Sequence, residues 1–144
     1  MITDPREYAL KALDAAKQDL RRDRYLLPIA FIFTDSEILD FNLNFDDAEH
    51  KALIYSKLVE VAKERGARAI ITINEATETY PTSAGNLKRD CIYVTVSGPQ
   101  LTTWSLSIPY TKAGNEIHFG EPTETSNDFL NLLCGWPTKT PNVE

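Results

Sequence analysis

Residues 46–74, DDAEHKALIYSKLVEVAKERGARAIITIN, read as one helix turning directly into one strand. Asp46-Asp47-Ala48-Glu49 sets capping side chains and an acid ahead of an apolar run, which is how helices start. Ala48, Ala52, Ile54, Tyr55, Leu58, Val59, Val61 and Ala62 cover about half of a helical wheel. His50, Lys57, Glu60, Lys63 and Glu64 take the other half. Lys63 and Arg65 suit the last turn, and Gly66 offers the left-handed conformation that ends many helices. Ala69, Ile70, Ile71 and Ile73 then put apolar side chains on both faces of a strand over 68–74, which marks a central position.

Upstream, Asp4-Pro5-Arg6-Glu7 opens a first helix with a narrow apolar stripe of Ala9, Ala12, Leu13, Ala16 and Leu20. Residues 26–33 form an apolar run of strand length, and 38–45 alternate, with Leu39, Phe41, Leu43 and Phe45 opposite Asp40, Asn42 and Asn44. Thr34-Asp35-Ser36-Glu37 joins the two as a hairpin turn. A strand, a long helix and a buried strand predict a right-handed crossover with parallel pairing. Downstream, the composition predicts strands over 91–97, 101–110 and 116–119, and a short helix over 128–134. In the second of these strands, Trp104, Leu106 and Ile108 face away from Thr103, Ser105 and Ser107, which leaves one polar, wet side.

The expected fold is α+β. One domain over 1–136 carries a mixed sheet of five or six strands and two main helices, in the order α-β-β-α-β-β-β-β-short α, and a flexible tail follows at 137–144. Strands dry on both faces need two covers. Either a homodimer partner supplies the second, or the first helix lies opposite the other.

Composition sets the outer bounds. At 144 residues, 42% hydrophobic and 25% charged, the chain can bury a core of its own. A net charge of −6 opposes sequence-independent nucleic-acid binding, and Arg21, Arg22 and Arg24 complement the end of the first helix. No apolar run approaches the ~20 residues of a membrane span. Cys91 and Cys134 lie in apolar company and suggest no disulfide framework, and no secretory signal is visible, so a cytoplasmic setting is expected.

Chemistry-bearing motifs are sparse. His50 and His118 are too few for a histidine-based metal site, and neither a metal nor a cofactor is expected. Glu49-His50-Lys51 has the Glu-x-Lys spacing of metal-dependent nucleases but sits at a helix start, where that chemistry has no strand to use. Phosphate-cradling glycine loops and nucleophile elbows are missing. Cys91 with His118 is the one thiol–imidazole pairing available, and a buried structural cysteine beside a surface histidine reads more simply. The irregular stretch 75–90 is the best place for a site, because it opens where a central strand ends. Glu75 and Glu78 face Lys88 and Arg89 across its mouth, with Glu75, Glu78 and Arg89 as candidate ligand-binding residues. Those pairs also serve simply to tie the loop ends together. Tyr80, Tyr93, Trp104, Tyr110 and Trp136 exceed what a small core is expected to hide, which points to an interface.

The run Glu64-Arg65-Gly66-Ala67-Arg68-Ala69-Ile70-Ile71-Thr72-Ile73-Asn74-Glu75-Ala76 resembles a stretch in a group of small uncharacterised bacterial proteins. In those, a helix ends at Gly-Ala, an apolar strand follows, and Ser-Glu-Ala-Trp opens a loop. Arg89 and Phe119-Gly120-Glu121 match an arginine and a Phe-Gly-Glu ending that recur there, whereas Asn74 and Thr77 replace the serine and the tryptophan. The resemblance implies no activity. It implies a bacterial-type protein in which Glu75 and Arg89 act as a structural or binding pair. The expected function is a non-catalytic binding or protein-interaction module, as a homodimer. The alternative is an enzyme acting on a small polar substrate in a crevice after 68–74.

Overall fold

A computed structural model describes residues 4–125 and Trp136. Helix α1 (Pro5–Asp23) starts where expected: the Asp4 side chain accepts from the Arg6 N–H at 3.0 Å, and Pro5 fills the first turn. It ends at Arg24, left-handed at φ 69°, whose N–H donates to the Leu20 carbonyl. Helix α2 (Ala48–Glu64) is capped by Asp47, which accepts from the His50 N–H at 2.8 Å. Its buried stripe is narrower than the wheel implied, namely Tyr55, Leu58, Val59 and Ala62.

The strands are β1 (Ile29–Phe33), β2 (Ile38–Asn42), β3 (Ala69–Thr82), β4 (Gly85–Gly98), β5 (Leu101–Ala113), β6 (Glu116–Phe119) and β7 (Thr123–Thr125). They form one sheet in the order β2-β1-β3-β4-β5-β6, with β7 also on β5. Among the described residues, seven strands replace the expected five or six and every pairing is antiparallel, so the sheet they form is not mixed. The crossover through α2 exists, but β1 stands between the two strands it joins. β2 and β3 therefore run the same way without touching. Apolar side chains on both sides of β1 explain its inner place, while β2, with one wet side, takes the edge.

Two cores lie on opposite faces of the sheet. One packs Ala9, Leu13, Ala16 and Leu20 of α1 on Ile71, Ile73, Ile92, Val94, Leu106 and Ile108. The other packs Tyr55, Leu58, Val59 and Ala62 of α2 on Ala30, Ile32 and Ile70, with Trp136. The second face of the central strands is thus covered within the chain, by the arrangement of helices that needs no partner. Ile70–Ile73 alternate between the two cores and are almost completely buried, as an interior ribbon requires.

Three further expectations change. The stretch 75–90 is not irregular: β3 runs on to Thr82, turns over Ser83-Ala84, and returns as β4. Beyond residue 77 this arm has no neighbouring strand on either side among the described residues, since β1 pairs only up to Ile73 and β5 only up to Asp90. The hydroxyl side of β5 is polar but dry, with Thr103, Ser105 and Ser107 all buried. Trp104, Tyr110 and Trp136 belong to the cores rather than to an exposed aromatic surface. The side chain of Tyr80, the short helix over 128–134 and the tail 137–144 lie outside the described residues.

Candidate functional site

The residues singled out in the sequence part company in the structure. Glu75 and Arg89 do not pair, because alternation along β3 and β4 sends them to opposite faces. Glu75 points to the α1 side. One carboxylate oxygen accepts from the Leu26 N–H, and the other accepts from the Tyr110 hydroxyl at 3.0 Å. Burial first, then this carboxylate, pushes the Tyr110 phenol well above its usual range. Both oxygens of Glu75 are occupied in joining the α1–β1 connection to β5.

Glu78 and Arg89 face each other directly across the arm, with Arg89 Nε donating to Glu78 Oε1 at 2.8 Å. The Ser107 hydroxyl lies 3.4 Å from the same oxygen. Lys88 pairs in register with Thr79 instead of facing an acid. With β3 continuous past Glu75, the crevice expected at its end has no mouth there. Cys91 is buried opposite Pro109, and burial raises its thiol above the usual range. His118 is exposed and sits 3.4 Å from Glu116 on the edge strand β6, so thiol and imidazole keep separate company. Among the described residues, no three His, Cys, Asp or Glu side chains converge as a metal site would require.

A concavity lies elsewhere. Helix α1 covers the β3–β6 half of its face and leaves the β1–β2 half open, which creates a groove of about 570 Å³. One wall is α1, through Tyr8, Ala12, Ala15, Asp19 and Asp23. The floor is Ile29, Phe31, Asp40 and Asn42, and the connection Tyr25-Leu26-Leu27-Pro28 closes one end. Tyr8 and Phe31 meet edge to face with centroids 5.3 Å apart. Tyr25 and Leu27 are 56% and 54% exposed at the mouth, unusual for side chains of this size.

Acids ring the groove. Arg22 bridges Asp19 at 3.0 Å and Asp23 at 2.9 Å, and its hydrogen bond holds the Asp23 carboxyl below the usual range. Asp40, opposite Phe31 on β2, has no such partner among the described residues. Burial, and then the Asp40 charge, raises the Tyr8 phenol above its ordinary value. A lone Pro28 was the available sequence signal for this site: it cuts Leu26 and Leu27 off from β1 and leaves them as linker rather than strand.

No family model, curated protein or solved structure was found to match this chain significantly. No helix among the described residues is long and apolar enough to cross a membrane.

Proposed function

We propose that this protein is a non-catalytic binding module whose site is the groove between α1 and the β1–β2 hairpin. One observation carries the reading: a concavity of about 570 Å³ with Tyr8 in its wall, Phe31 in its floor and the large side chains of Tyr25 and Leu27 left exposed at its mouth. Ligand sites of roughly 300–1,000 Å³ are typically built this way, from apolar walls and a few placed polar groups. The side chains that suggest chemistry support the same view. Glu75, Glu78 and Arg89 serve as ties between strands, and the Cys91 thiol is buried in the sheet.

A thermal-shift screen of small apolar and amphipathic fragments tests the proposal. Ala15 is exposed on the groove wall, so Ala15→Trp fills the groove without entering a core. Fragments that bind at 100 times their Kd stabilise the wild type by about 2.7 kcal/mol. The expected result is a set of fragments whose shifts vanish in Ala15→Trp. Shifts that persist in that variant, or no shift across the library, overturn the assignment.

A further inference from the structure

We infer that the groove and the free edge of β2 together receive an extended segment of another protein, one carrying Lys or Arg at alternate positions. The inference rests on the groove being a binding site and adds the class of occupant. Its first support is the hydrogen-bond phase of the β1–β2 hairpin. Thr34 N–H donates to Glu37 O, and Leu43 N–H donates to Pro28 O. Bonded and non-bonded pairs alternate between those two points, so Leu39 and Phe41 bond inward to β1. Ile38, Asp40 and Asn42 therefore turn their N–H and C=O groups outward. β2 ends the sheet among the described strands, and nothing described pairs with those groups.

The second support is that these three residues also project their side chains to the α1 face, where Asp40 and Asn42 form part of the groove floor. An added strand would satisfy the outward backbone groups and send alternate side chains over the same concavity. That coupling of edge and pocket is how extended peptides are recognised by strand addition. The third support is charge. Asp19, Asp23 and Asp40 stand at the groove against a single base, Arg22, in a chain of net charge −6. Basic side chains fit this rim and acidic ones do not.

The same residue argues against a second copy as occupant. Two β2 edges paired about their centre would set Asp40 directly against Asp40, and like charges opposite each other oppose pairing. The arm of β3 and β4 also has open edges, but the groove does not reach it and Pro81 supplies no N–H.

Selection of phage-displayed random heptapeptides on the full chain tests this. The expected result is enrichment of sequences with Lys or Arg at alternate positions. A selected peptide, made synthetically, should lose at least tenfold in affinity to Asp40→Lys and as much when its alternate amides are N-methylated. Asp40 is exposed, so the variant's melting curve should match the wild type. Enrichment of acidic or patternless peptides overturns the inference, as does binding indifferent to N-methylation. A wild-type dimer that protects the amides of Ile38, Asp40 and Asn42 from exchange until it is diluted assigns the edge to a second copy and overturns it too. If groove-dependent fragment shifts occur while no peptide is enriched over Ala15→Trp, the binding function stands and the peptide inference fails. If neither occurs, both fail.

Discussion

Glu75, on β3, is the side chain that joins the α1–β1 connection to β5, and its behaviour is set by the two donors that reach it. Tyr110 is one of them, and its phenol is raised above 10.0 in the folded chain. The protonated form is favoured on folding, so this stabilisation is complete below the unfolded value near 10 and is lost as pH climbs through the higher folded value. Tyr110→Phe leaves a part-buried carboxylate oxygen without its donor and is expected to cost about 1–2 kcal/mol at pH 7. Above pH 10 the gap to wild type should narrow, because only the wild type has this proton to lose. Urea denaturation across that range checks it, and a pH-independent gap would contradict the assignment. Glu75 stood out in the sequence as a polar residue after a buried strand. Its partners were not legible there, since Tyr110 is 35 residues away and only the sheet order brings it close.

At the scale of elements, both long helices and the central β3 were readable because capping residues and apolar periods agreed over whole segments. The arm was not. Its described side chains are mostly exposed, so neither of its sides needs apolar residues and no period of two develops beyond Ala76. Ser83-Ala84 also lacks the Asn-Gly chemistry that announces a tight hairpin. The β4–β5 turn was legible, but Gly98 does more than turn. A Cβ there would sit 2.0 Å from the Arg68 carbonyl oxygen, so only glycine lets β4 pass the start of β3. Gly98→Ala is expected to destabilise the protein by roughly 2–4 kcal/mol, at the upper end for single substitutions, because the Arg68 backbone must shift to admit the methyl group. A loss within 0.5 kcal/mol in chemical denaturation would show that the contact relaxes freely.

Across the whole molecule, the helices sandwich the middle of the sheet and leave its ends less supported. Amide hydrogen exchange should follow that gradient. The slowest amides are expected at residues 70–73, 92–96 and 104–108, and the fastest strand amides in the arm at 77–82 and 85–89. Even protection along β3 and β4 would mean that the arm is braced by something beyond the two cores. The α+β class could be read from the sequence, whereas the pairing could not, because periodicity shows how dry a strand is and not which strand lies beside it. The position of β1 has a consequence for biosynthesis. Its inner neighbour begins only at Ala69, so a nascent chain that has finished Phe33 waits for another hairpin strand and a helix before that edge is closed. At about 5–20 residues per second the wait is roughly 2–7 s. Translation speed between those two codons therefore governs how long an oily, half-bonded ribbon is offered to chaperones, or to its own kind on a polysome.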